Sequence, residues 1–577
     1  MRARHILPCL AVAALTLASC DDFLDGVQPQ GVVSEEQAMR RPDEMVYAAY
    51  AALGNDWYQY PFNLWPYGDV ASDDALKGGG QLNDTDYHTL EVWSTLTSQS
   101  LNPADELWYR LYLAISRANR ALISLERHGE SVLGAEATRL RRAEMKFVRA
   151  HFYFKLIQVF YRVPWVDETV HANRAFEQTP NNQTHEWLMR RIIADFEEAY
   201  NTLPESQEDR SRANKIAAAA YLAKCHLTLA YGDGYEATNG YSRVNADDIR
   251  RVVEYTGVVM NSSHGLLDDF GDVFLPDHRN SVESVYAVQH SGYSQDNTVY
   301  GRANWGNTLN GVWGIWSCGW DFHKPSQDLV NAFKTRNGLP MFDDYDATDA
   351  YPVNEKPTEQ KWDPRLFHTV GMPTFPYKYE SQYTLTMANS RDPNDYGFYC
   401  SMKEVPQRSQ GETFSSPWQA FAMNDYVFRY ADVMLMRAEA LIEQGNFDAA
   451  RDLINQIRRR AKNSMKHIGY AADQVSIEEY PAENFASKEQ ARRALRWERR
   501  LELAMESHRF FDLRRWGLAS TTLNAYFRKA QESSYEGVRY AQYYSTARFE
   551  AGKNEYFPLP YNQFYYTIGL YEQNRGY

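Results

Sequence analysis

The chain has 577 residues, a formal net charge of −14 and five cysteines, with 41 tyrosines and 14 tryptophans. That acidic balance argues against nucleic acid as a partner, because binding phosphates by counterion release needs a basic surface. The length, with no Ser/Gly-rich or Pro-rich linker, points to one large body with two lobes rather than separate domains.

Residues 1–19 read as processing information rather than fold. Arg2 and Arg4 precede an apolar run from Ile6 to Leu17 that is too short to span a bilayer. The run closes on Leu17-Ala18-Ser19-Cys20, small residues leading to a cysteine, as where bacterial lipoproteins are cut and diacylated. Cys20 is then the expected first residue of the mature protein, and two or more acyl chains on it suffice for stable anchoring. No later stretch is apolar for long enough to cross a membrane, so this lipid is the one attachment expected. Of the remaining cysteines, Cys9 leaves with the signal, and Cys225, Cys318 and Cys400 are too far apart for a disulfide framework or a CxxC pair. Cys225 lies in the apolar stretch Ile216 to Leu229 and reads as core.

The first helix signal is Ser34-Glu35-Glu36-Gln37, a capping-box pattern, followed by Pro42 at a plausible first turn and Gly54 as a stop. Leu107, Leu111, Ala114, Ile115, Ala118 and Leu122 then recur at spacings of three and four, as do Phe147, Ala150, Phe154, Ile157 and Tyr161. Trp187 to Tyr200 and Ala213 to Leu229 continue the habit, with alanines at 217–220 and 223 that let neighbouring helices approach closely, as in stacked pairs. From about Asn261 to Ala422 the period is lost to Gly, Pro, Asn, Asp and aromatic residues, which predicts long loops with short strands such as Val285 to Gln289. Helical pattern resumes at Phe428 to Ala440, continues over Phe447 to Ala461 after the turn Gln444-Gly445-Asn446, and again from Lys488 to about His508. Helices from both ends are therefore expected to form one scaffold carrying the irregular middle, and a loop region that long is usually functional.

Residues with chemistry-bearing types are mostly explained by structure. There is no HExxH, GxSxG or glycine-rich phosphate loop. Glu498, Glu502 and Glu506 share one helical face, but Arg499, Arg500 and Arg509 interleave with them, so ion pairing is expected rather than catalysis. Glu439 and Arg429 are likewise read as interhelical ion pairs. Asp233, Glu236 and Asn239 follow Tyr231 at a spacing that misses the EF-hand pattern, and neither a metal nor a cofactor is expected.

The aromatic signal is stronger. Trp57, Tyr58, Tyr60, Phe62, Trp65 and Tyr67 cluster early, Trp93 follows, and Trp305, Trp313, Trp316, Trp320 and Phe322 cluster in the middle. A sugar ring offers an apolar face that a flat Trp or Tyr covers, and a rim of hydroxyls that nearby Asp, Asn or Arg satisfies. Asp69, Asp73 and Asp74 accompany the first cluster; Asn304, Asn307, Asn310 and Asp321 accompany the second, with glycines at 306, 311, 314 and 319 to admit a ligand close to backbone. Trp320 and Trp93 are the expected platforms and Asp73, Asp74 and Arg391 their polar partners. Trp65, Asp69, Trp316 and Cys318 complete the candidate site, Cys318 as packing rather than as a reactive thiol.

Several segments in order resemble the SusD/RagB nutrient-binding lipoproteins of the Bacteroidetes outer membrane. They are CDDFLD at Cys20 to Asp25, AEMKFVRAHFYFKLIQVFYRVPWV at Ala143 to Val166, the alanine-rich helix after Arg212, PSQDLVNAF at Pro325 to Phe333, and DPRLF at Asp363 to Phe367. RYADVMLMRAEAL at Arg429 to Leu441, RWERRLELAMESHRFFDLRRWG at Arg496 to Gly517 and QNRGY at Gln573 to Tyr577 complete the series. Departures are small: Tyr161-Arg162 stands where the family often has a glycine and an acid, and Arg575 where a proline is usual.

The resemblance implies a mostly helical fold on four tetratricopeptide-like helix pairs, with an irregular ligand-binding lobe containing short strands. It divides the chain into a signal peptide (1–19), a lipidated tether (20–33), the N-terminal scaffold (34–262), the loop-rich ligand-binding region (263–424) and the C-terminal scaffold and tail (425–577). It also implies a partner, a SusC-like TonB-dependent outer-membrane barrel over which the lipoprotein sits as a hinged lid. Asp21-Asp22 looks like the acidic signal that sends such proteins to the cell surface. The function expected is capture of an oligo- or polysaccharide for import, without catalysis; peptide capture in the RagB manner and a surface glycan-degrading enzyme remain alternatives.

Overall fold

Where the sequence marks its first helix, the Ser34 hydroxyl accepts the Gln37 N–H at 3.2 Å and the Gln37 side chain accepts the Ser34 N–H at 3.4 Å. This reciprocal box satisfies two donors that a helix start leaves orphaned. A computed structural model describes residues 33–54, 60–80, 85–173, 175–235, 244–291, 306–316, 319–348, 359–411, 413–414, 420–532 and 540–577. The signal peptide, Cys20, Trp57, Tyr58, Glu236, Asn239, Asn304, Trp305 and Cys318 lie outside the described residues.

The helices that build the scaffold are α1 (Glu35–Met39), α2 (Pro42–Tyr50), α3 (Asn102–Ser124), α4 (Ala135–Phe160), α5 (His185–Thr202), α6 (Lys215–Ala230) and α7 (Ala246–Met260). After the lobe come α8 (Tyr430–Gln444), α9 (Phe447–Asn463), α10 (Lys488–Leu503) and α11 (Arg509–Arg515). Successive helices pack on one another, α3 on α4, α4 on α5, α5 on α6, α6 on α7, and α7 directly on α8. The stack therefore runs through the insertion as if the lobe were absent. Helix α6 is sandwiched, and its alanines 217–220 are all fully buried. At these four positions neighbouring helices come too close for larger side chains. Polar ties fix the neighbours: Arg149 grips Asp195 bidentately at 2.8 and 2.9 Å, His226 Nδ1 meets Asp248 at 2.8 Å, and Arg437 donates to the Val253 carbonyl at 2.7 Å. Asn214 and Asn245 cap α6 and α7, and Gly445, in the left-handed region, ends α8. Among the described residues no helix is long and apolar enough to cross a membrane.

Four strands matter for the lobe: β1 (Ala75–Gly78), β2 (Ser284–Val288), β3 (Phe322–Pro325) and β4 (Asp425–Arg429). β2 pairs antiparallel with β4, so the two ends of the lobe are stitched together at its base. β1 pairs antiparallel with β3, Ala75 opposite Pro325 and Gly78 opposite Phe322, which ties the lobe to the early aromatic segment.

Helix α10 is shorter than its pattern suggests. It ends at Leu503, and Met505 and Ser507 take positive φ before α11 begins. The break brings Ser507 N–H to Asp69 Oδ2 at 2.8 Å and against Gly68, where a Cβ would stand 2.3 Å from the Ser507 carbonyl oxygen. Only glycine permits that approach.

The acids and arginines of this segment are paired, but not with each other as expected. Glu498 meets Arg365 and Arg458; Glu502 meets Arg365, Arg429 and Arg460; Glu506 meets Arg429 and Lys403. Arg499 turns instead to Asp432 and Asp512, and Arg500 to Asp73, Asp74 and Asp328. Residues one and two apart on a helix point to different faces and cannot meet, and Arg499, three before Glu502, is taken up by Asp432 and Asp512 instead. One helix thereby holds the scaffold, the lobe and the early segment through buried charge. Burial opposes ionisation of Glu502, but Arg460, Arg429 and Arg365 overcome it and hold the carboxyl well below its usual range.

Candidate functional site

The loop bearing the middle tryptophans is pinned at its base. Gly306 pairs with Phe421 through hydrogen bonds in both directions, Asp321 N–H donates to the Gly311 carbonyl at 2.9 Å, and Phe322 N–H to that of Leu309 at 3.3 Å. Asn307, Leu309, Asp321 and His323 all take positive φ, a concentration of strained backbone in one loop. Gly319 serves this folding: a Cβ there would meet the Val312 and Gly311 carbonyl oxygens at 2.5 and 2.7 Å.

At the surface end of this loop, Trp313 is the exposed tryptophan among the described residues, 44 % accessible. Trp320 is half-buried, and the Arg391 guanidinium lies 4.3 Å from its ring centroid and 5.7 Å from that of Trp313. Asp321 fixes the arginine's backbone, accepting Arg391 N–H at 3.0 Å, and is itself buried against Lys324 Nζ at 2.6 Å. Burial raises the Asp321 pKa, with Lys324 opposing. From the other side, the Asn389 amide donates to the Trp313 carbonyl at 3.1 Å. Two indoles flanking a guanidinium make a surface with apolar faces and charged donors, the combination that stacks a ring and binds its polar substituents.

Most of the other candidates lie inside. Trp93 is 1 % accessible, with its indole N–H on the Ala71 carbonyl and its ring among Phe510, Phe549 and Phe557 at about 5 Å. Trp65, equally buried, stacks on the His323 imidazole at 4.9 Å. Trp316 fills a small cluster with Val312, Tyr377 and Phe421, its indole N–H 3.2 Å from the Tyr377 hydroxyl. None of the three offers a face to a ligand.

The acids are equally committed. Asp73 receives a bidentate Arg509 at 2.8 Å, and Asp74 receives Arg500 at 2.7 Å. Burial opposes ionisation of Asp73, and Arg500 and Arg509 overcome it; burial raises Asp74 to about 6. Asp69 sits between His323 and the Ser507 amide. Asn307 and Asn310 turn inward to the Glu404 backbone and carboxylate. The early cluster is thus the joint between scaffold and lobe, where large rings exclude water from the ion pairs. Sequence reasoning gave Trp313 no preference over its neighbours; a tryptophan directly before Gly314 at a loop tip was the available signal. His323 carried no signal, since its partners lie 254 and 81 residues away.

Comparison with known proteins agrees with this architecture. A model described as the SusD family matches residues 283–577, and one described as starch-binding, associating with outer membrane, matches residues 56–227. The chain belongs to the SusD family. SusD-like protein P2 of Formosa agariphila is 23% identical, with 98% of each chain covered. Among solved structures, a laminarin-binding SusD-like protein superposes with a TM-score of 0.66 at 22% identity, covering 93% of this chain and 99% of that one. Surface glycan-binding protein A from Bacteroides thetaiotaomicron, in complex with laminarihexaose, gives 0.62 at 18% identity over 92% of this chain and 99% of that one. The SusD-family scaffold is thus the helical stack described above, and the Trp313 surface is carried on its lobe.

Proposed function

We propose that this SusD-family protein is a lipid-anchored surface lipoprotein that binds an oligo- or polysaccharide and delivers it to a SusC-like TonB-dependent barrel. The observation that carries the reading is the exposed Trp313 indole beside Trp320 with Arg391 stacked between them. The indoles supply stacking faces and the guanidinium donates to hydroxyls or to an acidic group. Relatives described as laminarin-binding or solved with laminarihexaose support a glycan as the ligand class. Binding without turnover is the role proposed, because the buried acids of α10 and the early segment are occupied by arginine. Calorimetric titration with laminarihexaose and a polysaccharide affinity-gel screen test the reading. A ligand whose affinity falls in Trp313→Ala supports it, whereas release of new reducing ends would overturn the non-catalytic role. Peptide binding in place of glycan binding would transfer the site to the RagB-like alternative.

A further inference from the structure

A crevice of about 150 Å³ lies where the scaffold meets the base of the lobe. Its walls come from α4, α6, β4 and the turn between α10 and α11, and the Trp313, Trp320 and Arg391 side chains take no part in it. Three donors line it without a protein partner among the described residues. Lys224, 9% accessible, makes no hydrogen bond or ion pair through Nζ, and the half-buried His508 ring and Gln158 side-chain amide likewise make no hydrogen bond. A buried ammonium without a hydrogen bond is costly, so this position favours an acceptor in the crevice. Of the acids whose charge acts on it, Asp432 and Asp512, Asp432 is engaged through Oδ1 with Arg499 at 2.9 Å and Asp512 with Arg499 and Arg515.

We infer that this crevice is a binding site for a small monocarboxylate with an apolar or aromatic body, held by Lys224 with His508 and Gln158 as neutral donors. The apolar body is called for by the walls of Phe154, Phe428 and Phe511. A single charge is called for by what faces the lysine: Glu404, Glu506 and Asp425 also line the crevice, each paired to His323, Arg429 or His290. A dianion would meet their repulsion with only one unpaired cation to offset it. His508 supplies a neutral N–H, since burial, with Lys224 and Arg499 nearby, lowers its pKa to about 4. A cavity of about 150 Å³ accepts a ring the size of benzene, so benzoate is a suitable probe.

The test compares benzoate, acetate and inorganic phosphate by calorimetry and by thermal shift, on the full chain and on Lys224→Met. Benzoate is expected to bind and raise the melting temperature, acetate to bind more weakly, and phosphate not to bind. Lys224→Met keeps the stem and removes the charge, so it is expected to bind benzoate about tenfold more weakly or worse, with a modest fall in melting temperature because Lys224 also supports the buried Asp432 charge. If that variant fails to fold, His508→Gln and Gln158→Leu carry the same comparison, each weakening benzoate and leaving laminarihexaose binding unchanged. No response to benzoate at tens of millimolar, equal binding by phosphate, or unaltered affinity in the variants overturns the site. Because Trp313, Trp320 and Arg391 are not among the residues that line the crevice, loss of this site leaves the glycan reading intact, and the converse holds.

Discussion

The imidazole of His323 is clamped to the carboxylate of Glu404, Nδ1 to Oε2 at 2.7 Å, with the ring fully buried. Its other nitrogen meets Asp69 Oδ2 at 3.1 Å, so one protonated ring joins the lobe to the early segment. Burial alone would lower the pKa; the carboxylates of Glu404 and Asp69 outweigh it and raise it from 6.5 to about 9. A histidine raised on folding stabilises fully below its unfolded pKa and loses that contribution as pH rises through the folded value. Wild type is therefore expected to exceed His323→Gln in stability by the largest margin near pH 6, on the order of 3 kcal/mol, and to lose it towards pH 9. Thermal melts of both proteins across that range check the claim; a margin independent of pH would refute it.

Glu502 gathers Arg365, Arg429 and Arg460 in the interior. Glu502→Gln preserves volume but leaves three buried guanidiniums short of a counter-charge, and breaking such a group costs about 3–5 kcal/mol. The surface pair Arg40–Glu36 is the control: its side chains are 65% and 77% accessible, and Glu36→Gln is expected to change stability by less than about 0.5 kcal/mol. Because the Glu502 carboxyl is held below its usual 4.5, its contribution is present above that pH and is lost as the medium turns more acid. Denaturant melts at pH 7 and pH 4 should show the wild-type advantage over Glu502→Gln shrinking at the lower value.

Much of the scaffold was legible because three-and-four periodicity, capping boxes and Gly445 are local signals that act within one or two turns. The bounds of α9 and the position of β2 follow expectation closely. The site was less legible. An aromatic residue beside acids and glycines has the same sequence signature whether it is a platform or a joint, and the deciding partners are remote. Arg509 reaches Asp73 across 436 positions, and nothing near Asp73 announces it. The same limit explains α10: its pattern continues past Leu503, but the tertiary contact of Ser507 with Asp69 and Gly68 overrides local helix preference.

Cys20→Ala removes the acceptor for the lipid proposed as the membrane anchor. The variant is expected to fold as wild type does, since the helical stack starts beyond it at α1, and to appear in the soluble fraction of cells lacking the barrel partner. Continued fractionation with the outer membrane under those conditions would remove the anchoring proposal.

The two tryptophans Trp313 and Trp93 make opposite predictions from one substitution. Trp93 is enclosed by three phenylalanines, so Trp93→Ala opens a cavity in the main core and is expected to cost about 3–5 kcal/mol of stability. Trp313 is already 44 % accessible, so its truncation leaves no comparable void and should hardly move the melting temperature. What Trp313→Ala removes is an exposed stacking face, and glycan affinity is expected to fall by about 1–3 kcal/mol, the value of one large side chain leaving an apolar contact. Trp320→Ala lies between the two, because its inner face packs on the core cluster while its outer face carries Arg391; a modest drop in both melting temperature and affinity is expected. Melting and titrating the same three samples separates the roles. If Trp313→Ala binds laminarihexaose and the affinity-gel polysaccharides as wild type does while Trp93→Ala loses binding without losing stability, the site lies at the early segment instead.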